Sequence, residues 1–446
     1  MAINWTKDQV IALSPDASST KAGQGLTNKS KWQSLGCDQL FAWGECKGSG
    51  KDPYKVQIDL SEPAFKCSCP SHKFPCKHCL GLFLMLVSQE SSFTEKEQPL
   101  WVKEWIESRA KKAEKQAKKT EKQATEPKKA PDPEKQAARA AEREAKVKAG
   151  IEELELWLKD LIRQGLTVTQ GQKYSFWDTP AARMVDAQAP GLARMLREMA
   201  TIPASGVAWQ DRLLEKLSLL HLVIEGYKNI ENLPSANQQD IRSLIGWTQN
   251  QEELLNQPGV FDNWLILGQR VESDSLTPTL RSHRIWLKGE QTNQFALILN
   301  FVFGNQPIDT SFISGTILPA ELVFFPGAFP LRALIKNRQT FISSSEIKLF
   351  SNILEFTNSW ADALAKNPWL ERFPCAIENL TLLPKEDEWL FCDNLGYELS
   401  INKIYGNIWF LLAISGGHPV KVFGEWYKDR IWPLSVWAEN QIYFVG

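Results

Sequence analysis

Apolar and polar residues alternate over Tyr54-Lys55-Val56-Gln57-Ile58-Asp59-Leu60, the period of a half-buried strand. Soon afterwards the period changes. Leu80, Leu82, Phe83, Leu84, Met85 and Leu86 predict a helix running on from Cys76. A further helix is predicted over Trp5–Leu13, and a Gly- and Ser-rich stretch that includes Gly44–Gly50 lies between it and the strand. Farther along, Ile151, Leu154, Leu158, Leu161 and Ile162 recur at helical spacing, as do Leu192, Met195, Leu196 and Met199, then Leu213, Leu214, Leu217, Leu220 and Leu222. Pro180, Pro190, Pro203 and Pro234 punctuate these helices. Beyond residue 259 the apolar runs shorten to strand length: Trp264–Val271, His283–Lys288, Phe295–Phe303, Thr316–Phe325, Leu331–Lys336, Trp389–Cys392, Ile408–Ile414, Val420–Phe423 and Ile442–Val445. One helix is predicted among them, over Ser343–Ala365.

Between these patterned regions lies a stretch with almost no large apolar residues. From Lys103 to Lys148 there are fifteen basic residues against nine acidic ones, with Pro127, Pro131 and Pro133 in the middle. Such a segment cannot bury enough surface to fold alone. It predicts a solvated linker, helical on both sides of the prolines. The chain thus divides into an N-terminal domain (1–92), a charged linker (93–150), an all-helical domain (151–258) and a β-rich α+β domain (259–446).

Composition narrows the class. A formal net charge of -1 gives the whole chain no general affinity for nucleic acid or membranes. The apolar run Leu82–Val87 is far below the roughly 18 residues of a membrane span. The first residues, Met1–Asp8, lack a basic segment followed by an apolar one. A soluble, cytoplasmic protein is expected. In that reducing compartment, clustered cysteines point to metal rather than disulfides.

Such a cluster is present: Cys67-Ser68-Cys69, then Cys76-Lys77-His78. Zinc takes four N or S ligands in a tetrahedron. Pro70 turns the chain after the first pair, the loop Pro70–Pro75 returns it, and Cys76 and His78 enter from the first turn of a helix, where exposed amides favour thiolate. Four protein donors predict one structural zinc ion with no open position. His72 and Cys79 are competing donors, although Cys79 points away from His78 on a helix and reads as a buried apolar position. Three thiolates leave the centre at about -1, and Lys66, Lys73 and Lys77 surround it. No acidic residue lies between Ala64 and Leu86, so this region is locally basic and could meet a nucleic acid or a protein partner.

C-x-C, a variable loop and C-x-H, after a strand and before a Leu-rich helix, resemble the SWIM zinc finger. Pro53–Val56, Ala181–Gly191 and Phe423-Gly424-Glu425-Trp426 are similar to the bacterial members in particular. The resemblance implies a small ββα finger over about 54–88 that binds DNA or protein. It also implies the company of MoxR-type AAA+ ATPases or von Willebrand A-domain proteins. Cys79 departs from the family, which has an aliphatic residue there.

Other candidates carry less. Gly50-Lys51 fails as a phosphate loop, because Glu45 stands where its first glycine belongs and Asp52 where Ser or Thr belongs. Cys37 and Cys46 lack further clustered ligands, Cys375 and Cys392 are single, His221 reads as a core residue and His418 as a turn residue. Arg183 and Asp186 are expected to pair along one helix. No catalytic constellation is visible. The expected function is therefore a non-enzymatic, zinc-binding interaction protein, with nucleic-acid binding through the basic finger and linker as the alternative.

Overall fold

Zinc-finger-like spacing sits at the end of a sheet. The computed structural model describes residues 5, 7–14, 17–48, 52–60, 64–71, 75–95, 97–109, 133–304, 306, 308–309, 311–340, 349–386, 388–438 and 441–446. Helices α1 (Lys7–Ala12) and α2 (Ala17–Gln24) lead into β1 (Trp32–Cys37), β2 (Phe41–Cys46), β3 (Tyr54–Asp59) and β4 (Ala64–Cys67). Helix α3 (Lys77–Ser88), strand β5 (Thr94–Glu95) and helix α4 (100–109) follow. The sheet order is β4-β3-β2-β1-β5, antiparallel except where β5 joins β1. The Gly- and Ser-rich stretch thus contributes two strands. A glycine makes one of them possible: a Cβ on Gly36 would lie 2.5 Å from the indole nitrogen of Trp43, its cross-strand partner. Every residue from His78 to Leu86 is buried. A helix apolar on all sides must be covered on all sides, and α1, α2 and strands β2, β3 and β4 all pack against α3. Ile313, from the C-terminal region, joins the same core.

The helical region is built from α5 (Pro133–Gln164), α6 (Ser175–Asp186), α7 (Pro190–Met199), α8 (Trp209–Lys228), α9 (Ser235–Ile245) and α10 (Gln251–Leu255). Here the expected boundary at 150/151 falls inside one continuous helix. Val147, Ile151, Leu154, Leu158 and Leu161 form a single buried stripe on α5. Upstream of it, Arg143 stacks 4.6 Å from the Trp247 ring centre and donates to the Gly246 carbonyl at 3.0 Å. Charged residues expected to be linker are therefore tied to the bundle. The core of the linker, residues 110–132, lies outside the described residues. His221 is exposed rather than in the core. The buried stripe of α8 is Leu213, Leu217, Leu220, Ile224 and Tyr227; His221 follows Leu220 and is rotated about 100° off that stripe. Leu214 and Leu222 are likewise exposed.

In the C-terminal region, β6 (Val260–Ser273), β7 (Leu280–Gly289), β8 (Phe295–Phe303), β9 (Ile317–Phe324) and β10 (Arg332–Arg338) close into a barrel. Helix α11 (Ile353–Lys366) follows, opened by Asn352, whose side chain accepts from the Glu355 amide at 2.8 Å. The predicted helix start at Ser343 lies outside the described residues. A second sheet then forms from β11 (Arg372–Lys385), β12 (Glu388–Cys392), β13 (Glu398–Ser400), β14 (Val420–Tyr427), β15 (Arg430–Ala438) and β16 (Gln441–Phe444), ordered β13-β12-β11-β14-β15-β16. The expected strand Ile408–Ile414 is instead helix α12 (Ile408–Ser415). An uninterrupted apolar run fits either element, and Gly416, left-handed at φ 56°, ends it as a helix.

Barrel and second sheet share a core that includes Leu265, Leu267, Trp286, Phe373, Phe423 and Leu434. An ionic cluster pins them together. Glu425 on β14 is fully buried; it accepts from Arg284 Nε at 2.7 Å, Arg372 Nη1 at 2.8 Å and Trp286 Nε1 at 3.2 Å. Glu272 receives the second ends of both arginines, at 2.8 and 2.9 Å. Arg270 stacks 3.6 Å from the Trp432 ring centre.

Candidate metal centre

The four predicted donors converge. Cys67 ends β4 and is fixed by the pairing of that strand with β3, Val56 opposite Cys67. The turn after it is held on both sides of Lys55: Ser68 Oγ accepts from the Lys55 amide at 2.9 Å, and the Ser68 amide donates to the Lys55 carbonyl at 3.0 Å. That clamp presents Cys69 beside Cys67. Cys76 occupies the N-cap of α3 in extended conformation, and its carbonyl takes the first helical bond, from Leu80. His78 follows in the first turn, its ring 4.8 Å from that of Tyr54.

Donor atoms of Cys67, Cys69, Cys76 and His78 all lie within 4.8 Å of one another. His78 Nδ1 is 3.8 Å from Cys67 Sγ and 3.9 Å from Cys76 Sγ. Bond lengths of about 2.3 Å to sulfur and about 2.0 Å to nitrogen put tetrahedral donors roughly 3.5–3.8 Å apart. The residues therefore fit one structural zinc ion, with His78 offering Nδ1. All four positions are supplied by the protein, so the ion would hold β4 and the start of α3 together.

The thiols share charge unequally. Cys76 is held far below its ordinary thiol range, first by the hydrogen bond from Cys67, then by those from Cys79 and His78, against the opposing effect of burial. The helix N-terminus it caps favours negative charge at that place. Cys67 and Cys79 are pushed up in return, Cys67 chiefly through its bond to Cys76 and Cys79 chiefly through its bond to Cys67. Burial raises Cys69. Cys79 is wholly buried, as its place in the helix predicts, but its sulfur lies 3.6 Å from Cys76 Sγ. His72, the other competing donor, lies outside the described residues.

Lys66 and Lys77 are both exposed at the rim; Lys73 lies outside the described residues. Lys31 is a further exposed cation missed in the sequence. Burial pushes the neighbouring Cys46 thiol up to about 11, and the charges of Lys77 and Lys31 oppose that rise. Cys37, Cys46 and Cys375 are buried, and Cys392 is half-buried. Arg183 does not pair with Asp186. It reaches across to Glu153 on α5, beside a cavity of about 220 Å³ lined by Trp157, Phe176, Thr179 and Met184. The ionic cluster around Glu425 also escaped the sequence reading; its signal was an acidic residue inside the apolar strand Val420–Tyr427.

Comparison with known families agrees with this geometry. The SWIM zinc finger matches residues 54–87, from β3 to the end of α3. The SWIM-associated four-helix bundle domain matches residues 142–245, from within α5 to the end of α9. No curated protein and no solved structure matches the chain. No helix among the described residues is long and apolar enough to cross a membrane.

Proposed function

We propose that this chain, a SWIM zinc finger family protein, is a non-enzymatic adaptor in which zinc shapes a ββα recognition module for a protein partner. The observation that carries the reading is the closed set of four protein donors. An ion held that way has no position left for water or substrate, so it organises a surface instead of doing chemistry. A second feature supports a protein partner. Ile404, Trp409 and Phe410, on and just before α12, are 78%, 69% and 50% exposed. Residues 404–420 contain no charged side chain, and exposed apolar patches of this kind mark interaction surfaces. The family resemblance names the class of partner: a MoxR-type ATPase or a von Willebrand A-domain protein.

A pull-down with the intact chain, with and without a zinc chelator, tests this. A stoichiometric protein partner that is lost on chelation is the expected result. Recovery of no specific protein in either condition contradicts it. The basic rim of Lys31, Lys66 and Lys77 supports a second reading, nucleic-acid binding. Phosphate contacts would make that affinity fall steeply with salt. A mobility-shift titration without binding at low salt removes it.

A further inference from the structure

The C-terminal region holds a cavity of about 350 Å³ between the barrel and α11. Its walls are aromatic. Phe295, at the start of β8, lies 6.0 Å from Phe350, ring centre to ring centre. Phe329, in the loop before β10, lies 5.9 Å from Phe373 on β11. All four rings line the cavity. The backbone fixes Phe350 there: its amide donates to the Ala376 carbonyl and its carbonyl accepts from the Glu378 amide, both at 2.8 Å. Lys288 on β7 pairs with Phe295 across the strands and is only 3% exposed. Its ammonium stands 4.1 Å from the Phe295 ring centre and 5.9 Å from that of Phe350. Lys366, the exposed last residue of α11, sets its ammonium 5.8 Å from the Phe329 ring centre. Both lysines line the cavity as well, and none of the described residues that line it is acidic.

A ring face attracts a cation, so each lysine has a structural reason to stand where it does. The hollow between them adds a second consequence. Positive charges beside low-dielectric walls create a field that favours negative charge. The phenylalanines offer flat apolar surface on which a further ring packs, offset or edge-on. A concavity of this size, apolar with a few polar groups, is built like a small-molecule site. We infer that it binds a small aromatic anion, a planar ring bearing a carboxylate or a phosphate. The ring packs among the phenylalanines, and the Lys288 and Lys366 ammoniums meet the charge. This site shares no residue with the four-donor cluster and depends neither on zinc nor on a protein partner.

Isothermal titration calorimetry on the full chain tests this, with phenyl phosphate and benzoate as probes. Benzyl alcohol and benzylamine are the neutral and cationic counterparts, and inorganic phosphate is the anion without a ring. The variants are Lys366→Gln and Lys288→Met. The second is scored only if its melting curve matches that of the wild type; Lys366→Gln, at an exposed helix end, keeps the test decisive in either case. At least one aromatic anion should bind saturably at one site per chain, and the tighter of the two names the head group. Its affinity should fall several-fold in Lys366→Gln and about tenfold in Lys288→Met, the loss of one hydrogen bond to a charged group. Binding of neither aromatic anion overturns the inference, and so does binding that Lys366→Gln leaves unchanged. Benzyl alcohol, benzylamine or inorganic phosphate binding as tightly as the aromatic anions also overturns it.

Discussion

Replacing Glu425 with alanine should loosen the joint between the barrel and the second sheet. The carboxylate is fully buried and accepts from Arg284, Arg372 and Trp286. Truncation would leave Arg270, Arg284 and Arg372 facing Glu272 alone. Removing one partner of a buried ion pair costs about 3–5 kcal/mol, because the remaining charge stays desolvated. For a unit of this size each kcal/mol lowers the midpoint by about 2–4 °C, so a drop of roughly 6–20 °C is expected. The matching control is Lys385→Ala. It breaks a pair of similar length, 2.6 Å to Glu398, but with both side chains about half exposed; solvent screens such a pair, and it contributes little to stability. Thermal and urea unfolding followed by near-UV circular dichroism would measure both. The reasoning fails if Glu425→Ala costs no more than the control. Acid gives a second handle. Burial alone would raise the Glu425 carboxyl, but the charges of Arg284 and Arg372 prevail and hold it below its ordinary value. Its folded-state pKa is thus depressed. The stabilisation is complete above the unfolded carboxyl value of about 4.3 and is lost as pH falls below it, through the folded value.

Three further outcomes are expected. Cys67→Ser and His78→Ala should each lose zinc and expose residues 54–95 to protease, since structural zinc carries about 10–16 kcal/mol of apparent binding energy in isolated fingers; unchanged zinc content and unchanged proteolysis in both would contradict this. Gly191→Ala should destabilise the helical bundle by about 1–3 kcal/mol, because the new Cβ would stand 1.8 Å from the Leu244 carbonyl oxygen on α9; an unaltered melting curve would refute that contact. Burial lowers His283 to about 4, so the unfolded chain binds that proton first; stability should fall by up to about 1.4 kcal/mol per pH unit between about 6.5 and 4, and His283→Gln should flatten that part of the curve.

Much of the site was legible because its chemistry is local. Cys67, Cys69, Cys76 and His78 lie within a dozen positions, and two short elements bring them together. The helix expected onward from Cys76 is found as α3, buried throughout from His78 to Leu86. What escaped depends on distant partners. β11 and β15 contain Pro374, Pro384 and Pro433, residues that argue against a strand unless its neighbours absorb the missing donor. Helix α12 and a strand share one apolar pattern, and only Gly416 separates them. Arg183 was matched to Asp186 by helical spacing, yet Glu153 arrives from another helix. Cys79 was rightly placed inside, but only three-dimensional packing sets its sulfur against Cys76.

Elemental analysis of the purified full-length chain addresses the metal centre most directly. One zinc per chain, retained through dialysis and absent from the Cys67→Ser and His78→Ala variants, is the predicted result. Material that carries no zinc, or holds it equally well in both variants, would contradict the account.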